Sequence, residues 1–116
     1  MYQGSLVSAV GDVGAGTGKG KVFLFSNQGN SSTKKWDAGT PHSTNSTSMD
    51  SAGQYVTVAD GYGSAGDFTL HKAAGGTPAL WTHATKATTW PMQISADGSA
   101  IAGGSNDGYL YYFSVP

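Results

Sequence analysis

The chain of 116 residues contains no cysteine, no arginine and no glutamate. The absence of cysteine excludes disulfide bonds, thiolate metal sites and cysteine nucleophiles. Without arginine, and with six lysines that form no patch, the sequence predicts no surface for nucleic acid. It also has no run of about 18 apolar residues and no basic and apolar leader at its start, so neither a membrane-spanning helix nor a secretory signal is predicted.

Residues that favour helices are scarce, because glutamate and arginine are missing and leucine occurs only five times. Aromatic residues make up 11% of the chain, which is too many for a disordered low-complexity sequence. The 18 glycines, together with many alanine, serine and threonine residues, suit short strands joined by tight turns. The composition therefore predicts an all-β protein.

The sequence repeats itself with a period of about 45 residues. Shifting the chain by this amount places Trp36 on Trp81 and the segment 51–56 on 96–101, so that turn glycines and apolar positions coincide. A strand motif that begins with glycine also recurs, at 20–25, 66–71 and 108–113. Periods of this length are typical of β-propeller blades, each built from four antiparallel strands.

The last repeat illustrates the strands that each unit is expected to hold. Residues 89–95 are predicted to form a first strand that alternates around Trp90, Met92 and Ile94. Asp107-Gly108 predicts a hairpin turn, and 109–113 is predicted to be an aromatic strand.

These units resemble the blades of propellers built from PQQ-like (quinoprotein-type) and WD-like repeats. The resemblance rests on 94–113, on 70–81 with Gly75-Gly76-Thr77 ahead of Trp81, and on a looser copy around Trp36. It implies a β-propeller fold. A quinoprotein-type enzyme would in addition hold pyrroloquinoline quinone and Ca²⁺ in its central channel and would act as a dehydrogenase.

Counting strands divides the chain into about three partial or whole blades, at 1–38, 42–85 and 87–116. The first blade is expected to lack its first strand and the third to lack its last strand. Such a row would leave two apolar blade faces exposed to water. We therefore expect a homodimer that closes a six-bladed ring, or else a fragment of a larger propeller.

The glycine-rich run 11–20 is not predicted to be a phosphate-binding loop. Gly18-Lys19 is followed by Gly20 instead of serine or threonine, and no helix pattern follows. Its place between a second and a third strand predicts a hairpin loop, with anion binding as the alternative.

The histidines and aspartates form no recognisable catalytic or metal-binding motif. His42, His71 and His83 lack the spacing of zinc ligands, and His71 falls at a strand position that is expected to pack. Aspartates near turns are expected to bond local backbone amides, with a carboxylate pair for glycoside hydrolysis as the alternative; they are Asp50, Asp60, Asp67, Asp97 and Asp107. No catalytic, cofactor-binding or metal-binding residue is therefore predicted.

Aromatic residues are the candidate contact residues. Trp36 and Trp81 are predicted to pack between blades. Trp90 stands where the preceding unit has Asn45, so it departs from the repeat and is a candidate contact for a ligand, with burial as the alternative. The other candidates, expected to form an interface on a final unpaired strand, are Tyr109, Tyr111 and Tyr112.

The sequence favours a non-enzymatic propeller module that serves as a scaffold or binds a protein or carbohydrate partner. The alternative is part of a PQQ-dependent dehydrogenase. Because the chain has no vicinal disulfide, no arginine and no clear Asp-Asn set for calcium, no cofactor is predicted. Two Asn-x-Ser/Thr triplets, at Asn30 and Asn45, are expected to arise by chance in a chain so rich in serine and threonine. The low charge and the high serine and threonine content favour an extracellular or cell-surface setting.

Overall fold

The computed structural model describes residues 3–10, for their backbone, and residues 18–115 in full. In these ranges it contains ten strands and no helix, which confirms the all-β prediction. The same ranges accordingly hold no candidate membrane-spanning helix. The strands are β1 (Gln3–Val10), β2 (Gly20–Gln28), β3 (Ser32–Thr40), β4 (Thr44–Met49), β5 (Tyr55–Tyr62), β6 (Ala65–Lys72), β7 (Trp81–Thr85), β8 (Thr89–Ile94), β9 (Ala100–Ser105) and β10 (Leu110–Ser114).

The strands form three sheets in which every neighbouring pair is antiparallel. Sheet 1 has the order β1-β2-β3, sheet 2 the order β4-β5-β6-β7, and sheet 3 the order β10-β9-β8. Strands that follow one another in the chain are thus neighbours in each sheet, as in a meander. The sheets span 3–40, 44–85 and 89–114.

Aspartates hold several of the turns between these strands. Asp50 Oδ1 accepts hydrogen bonds at 2.8 Å from the backbone N–H groups of Gln54 and Tyr55. Asp97 accepts from the N–H of Ser99 at 3.0 Å in the corresponding turn of sheet 3. These bonds satisfy turn amides that no strand partner reaches, which is why aspartate is favoured there.

Sheet 2 lies between the other two sheets and is buried on both faces. Residues 56–61 of β5 and 66–71 of β6 form two continuous buried runs. In contrast, β2 alternates between buried and half-buried positions through most of its length, and β10 alternates between half-buried and exposed positions. Because successive side chains point to opposite faces of a strand, sheets 1 and 3 bury one face each.

Two apolar clusters fill the junctions between the sheets. The cluster between sheets 1 and 2 contains Val22, Leu24, Ala38, Val56, Val58 and Ala73, with Trp36 and Met49 packed against it. The cluster between sheets 2 and 3 contains Ala59, Phe68, Leu70, Met92, Ile94 and Ile101, with Tyr55, Trp81, Tyr111, Phe113 and Val115 packed against it. Burial of these side chains is the main force that holds the three sheets together.

Trp36 and Trp81 each contact the following sheet. The indole N–H of Trp36 donates to the carbonyl oxygen of Ala73 at 2.8 Å, and its ring lies 5.6 Å from the His71 ring. The ring centroid of Trp81 lies 4.8 Å from that of Phe113. His71 itself is buried in the first junction.

The predicted alternation around Trp90 is wrong. Met92 and Ile94 are buried, whereas Trp90 is 55% exposed and points away from them. The register of β8 with β9 shifts between Thr89 and Met92, where Pro91 has no N–H to donate to the ladder. The predicted hairpin loop at 11–20 falls largely outside the described residues, because 11–17 are not among them.

Candidate functional site

Sheet 3 carries a row of exposed apolar side chains on the face that points away from sheet 2. Trp90 is 55% exposed, Leu110 81% and Tyr112 70%, and we call these three residues the outer face of sheet 3. Tyr109 lies beside them, in the turn before β10, and is 69% exposed. Single exposed apolar side chains are ordinary, but a contiguous group of them marks an interaction surface.

The repeat shows what these positions do in the other two sheets. Leu110 and Tyr112 hold the third and fifth positions of the strand motif that recurs in β2, β6 and β10. Their counterparts are all 0% exposed, and they are Val22 and Phe68 for Leu110, and Leu24 and Leu70 for Tyr112. In sheets 1 and 2 these positions therefore pack against the next sheet.

Tyr111 lies on the opposite side of β10 from Tyr112. Its ring packs against Phe68, with 5.3 Å between the ring centroids, and its hydroxyl donates to Asp107 Oδ2 at 2.6 Å. This bond to a carboxylate raises the pKa of the Tyr111 hydroxyl. Of the three candidate tyrosines, Tyr111 thus belongs to the junction with sheet 2 and Tyr112 faces outwards, whereas Tyr109 is exposed with its ring centroid 6.5 Å from that of Tyr111.

A shallow groove of about 400 Å³ crosses the edge of the outer face of sheet 3. Trp90 and Pro91 form one side, and Tyr109 and Leu110 form the other. Asn106 adds a polar group at one end. The groove is therefore suited to bind an apolar side chain of a partner together with a nearby backbone group.

Sheet 1 also has an outer face, which we define by Lys21, Phe23, Phe25, Lys34 and Asp37. Phe23 and Phe25 are stacked with their ring centroids 6.3 Å apart. Asp37 pairs with Lys21 at 3.2 Å and with Lys34 at 2.7 Å, and both ammonium groups lie within about 6 Å of the Phe23 ring. The two lysines hold the pKa of Asp37 below its usual value.

A second candidate site lies at one corner of sheet 2, where His42, Asp60 and Asp67 converge. We call these three residues the His-Asp-Asp cluster. His42 Nδ1 is 3.2 Å from Asp67 Oδ2 and 3.5 Å from Asp60 Oδ1. Asp60 is 1% exposed and Asp67 8%, while about a third of the His42 side chain remains accessible. Among the described residues this is the group of histidine and acidic side chains close enough to hold a metal ion.

Backbone hydrogen bonds fix the position of Asp60. Its Oδ1 accepts from the N–H of Asp67 at 2.8 Å, and its Oδ2 accepts from the N–H of His42 at 3.2 Å. Burial, and then the negative charge of Asp67, raise the pKa of Asp60 to about 6, although these hydrogen bonds oppose the increase. The cluster therefore brings two carboxyl groups together at a place where their negative charges are poorly solvated.

We expect Asp60 to make the protein less stable as pH rises. Its pKa of about 6 in the folded chain exceeds its ordinary value of 3.8, so the folded chain binds this proton more tightly than the unfolded chain. The resulting stabilisation is complete below pH 3.8 and is lost as pH rises through 6, a loss of about 1–3 kcal/mol. Urea unfolding between pH 4 and 7, with a chelator present, measures it.

The matched variant for this prediction is Asp60→Asn, which does not ionise. The free energy of unfolding of wild type minus that of the variant is expected to fall across this pH range. The subtraction removes the contributions of other titrating groups, so a difference that stays constant with pH would contradict the assignment to Asp60.

Sequence spacing did not reveal the His-Asp-Asp cluster, but the repeat contains a signal for it. The corresponding corner of sheet 3 has Ala87, Ser105 and Tyr109 at the positions of His42, Asp60 and Asp67. The structure supports this correspondence, because Thr44 pairs with Asp60 just as Thr89 pairs with Ser105. The residue types therefore differ between the two repeats at all three positions of the cluster.

Comparison with known proteins supports the fold alone. No protein-family profile and no curated protein matches the chain. Among solved structures it is similar to Hsv2 of Kluyveromyces lactis, a β-propeller protein, with a TM-score of 0.56 and 14% sequence identity. The similarity covers 84% of this chain and 35% of Hsv2, so the chain spans about a third of that protein. The three sheets therefore form a propeller-like all-β fold.

Proposed function

We propose that this chain is a non-catalytic β-propeller module of the PQQ-like repeat type. It acts as a scaffold, and its binding partner is a second copy of the same chain. The observation that carries the proposal is the exposure of Leu110 and Tyr112. Both occupy repeat positions that are fully buried against a following sheet elsewhere in the chain. A sheet packed on this face would give sheet 3 the environment that sheets 1 and 2 already have.

The surface that fits this face is the outer face of sheet 1 of a second copy. Phe23 and Phe25 hold the motif positions of Tyr111 and Phe113, which in sheet 3 pack towards sheet 2. Sheet 1 is therefore suited to follow another sheet. Two copies related by a two-fold axis would form two such junctions and place six sheets in one ring, a number within the usual range of propellers.

The charges and rings on the two faces are also complementary. The outer face of sheet 1 presents the ammonium groups of Lys21 and Lys34, and that of sheet 3 presents the rings of Trp90 and Tyr112. Cations are attracted to the faces of such rings. The same contact would cover the exposed aromatic surface, which supports a second copy as the occupant.

The mass of the protein in solution tests the proposal. Light scattering coupled to size-exclusion chromatography is expected to give twice the chain mass of 11.8 kDa. Leu110→Lys places a charge at the centre of the proposed junction, and the variant is expected to elute as a single chain because a buried unpaired charge is costly. A wild-type mass of one chain across the accessible concentrations would contradict self-association.

Leu80→Lys is the matched control for this experiment. Leu80 is 43% exposed but precedes β7 in sheet 2 and belongs to neither outer face. This variant is expected to keep the wild-type mass. Dissociation of both variants would show that an added lysine acts through general charge rather than through the outer face of sheet 3.

A further inference from the structure

We propose that the His-Asp-Asp cluster binds a divalent transition-metal ion, with Zn²⁺ the best match. The three residues come from three parts of sheet 2 and its entry. His42 lies in the connection from β3 to β4, Asp60 near the end of β5 and Asp67 near the start of β6. The proposal is independent of self-association, because none of the three residues lies on an outer face.

The spacing of the three side chains is that of metal ligands. Zn²⁺ binds imidazole nitrogen and carboxylate oxygen at about 2.0–2.2 Å, so two ligand atoms in a tetrahedral site are about 3.3–3.6 Å apart. The distances from His42 Nδ1 to the two carboxylate oxygens are 3.2 and 3.5 Å. All three ligand atoms lie within 4.8 Å of one another, so small rotations of the side chains suffice to place an ion among them.

The donor types and their burial favour Zn²⁺ over Ca²⁺ or Mg²⁺. Those harder ions take oxygen ligands, and Ca²⁺ needs six to eight of them, whereas imidazole suits Zn²⁺ and its neighbours. Three protein ligands leave one tetrahedral position for water. Because part of the His42 side chain is exposed while Asp60 is buried, that position would open towards solvent on the His42 side.

The corresponding corner of sheet 3 is built from other residue types. In the next repeat the same corner is built with Ala87, Ser105 and Tyr109. The structural threonine is retained at both corners, as Thr44 and Thr89. The cluster therefore places two buried carboxyl groups at positions where sheet 3 has no carboxyl group.

A bound cation would offset the cost of these carboxyl groups. Burial of carboxylates is unfavourable unless positive charge or hydrogen bonds compensate. When the metal binds, His42 Nδ1 would offer its lone pair and lose its hydrogen bond with Asp67 Oδ2. Because metal ligands must be deprotonated in order to bind an ion, the affinity is expected to rise with pH.

Titration of the chelator-treated chain with ZnCl₂ in a calorimeter tests the proposal. Wild type is expected to bind one Zn²⁺ per chain and to unfold at a higher temperature with Zn²⁺ present. Co²⁺ in place of Zn²⁺ is expected to give the visible absorption of a four-coordinate site. Failure of the folded wild-type chain to bind Zn²⁺ stoichiometrically would overturn the proposal and would identify the cluster as a hydrogen-bonded network.

Two variants and one control assign the binding to these residues. Asp67→Asn preserves the shape of the side chain, and His42→Ala removes the imidazole. Each is expected to weaken Zn²⁺ binding by more than about 100-fold, because substitutions of residues that only contact the ligands already lower metal affinity about 10–100-fold. His83→Ala removes an exposed histidine on β7 and is expected to bind as wild type does. Wild-type affinity in folded Asp67→Asn and His42→Ala, checked by circular dichroism, would overturn the assignment.

Discussion

Replacing Phe68 with alanine is expected to lower the free energy of unfolding by about 3–5 kcal/mol. Among the side chains that the structure describes, Phe68 is the largest that is fully buried, and it belongs to the cluster between sheets 2 and 3. Its ring centroid lies 5.3 Å from that of Tyr111 and 5.7 Å from that of Phe113. Alanine would leave a cavity at this junction, since the strands on both sides are held by their ladders and collapse only in part.

The backbone of sheet 3 also approaches the Phe68 ring. A Cβ atom at Gly103 would lie 3.0 Å from Phe68 Cζ and closer still to Cε1, so Gly103 leaves the space that the ring occupies. Urea unfolding followed by tryptophan fluorescence measures the loss. The control Tyr62→Ala removes an aromatic ring that is 77% exposed, and a change within about 0.5 kcal/mol is expected. Equal losses in the two variants would show that the junction is not the source of the stability.

Gly76→Ala is expected to be destabilising by about 2–4 kcal/mol, although it adds only one carbon atom. The φ angle of Gly76 is +65°, a conformation that costs about 1 kcal/mol for alanine. In addition, the new Cβ would overlap the Trp36 ring. This overpacking accounts for the remainder of the expected loss in the free energy of unfolding. Trp36 cannot move away freely, because its indole N–H donates to Ala73 at 2.8 Å.

Gly63→Ala separates these two costs. Gly63 has a φ of +63°, nearly the same as that of Gly76, but no atom lies within 4 Å of the position that a Cβ would take. This variant is therefore expected to lose only the backbone cost of about 1 kcal/mol. The difference between the two variants in urea unfolding measures the overlap with Trp36. If both lose the same amount, the proposed overlap contributes nothing.

The strand content could be predicted from the sequence because it depends on short-range patterns. Turn glycines such as Gly53 and Gly98 recur at one repeat distance, and both adopt positive φ in the structure. Strand alternation and turn chemistry act within a few residues, so a single sequence displays them. The all-β class and the antiparallel pairing follow from these patterns alone.

The face on which Trp90 lies could not be predicted by alternation, because alternation assumes an uninterrupted ladder. The register shifts between Thr89 and Met92, as it also does between Thr44 and Ser46 in sheet 2, and the Trp90 side chain points outwards at this irregularity. The repeat distinguishes Trp90, since Asn45 holds the corresponding place, but it does not indicate the face on which the Trp90 side chain lies.

The His-Asp-Asp cluster was missed for a different reason. His42 is 18 residues from Asp60 and 25 from Asp67, and these separations match no local ligand pattern. The three side chains meet because the connection from sheet 1 enters sheet 2 beside the turn between β5 and β6. Such a meeting depends on how sheets are joined, which spacing along the chain does not encode.

The burial of sheet 2 on both faces also determines how cooperatively the three sheets can unfold. Loss of sheet 1 or sheet 3 breaks one apolar cluster and leaves the other intact, whereas loss of sheet 2 breaks both. Within a single chain that is not bound to a second copy, the sheets form a short array with nearest-neighbour coupling, in which each end repeat has one stabilising neighbour and the middle repeat has two. We therefore expect partial opening of such a single chain to begin at either end, and the middle repeat to open only when the whole array does.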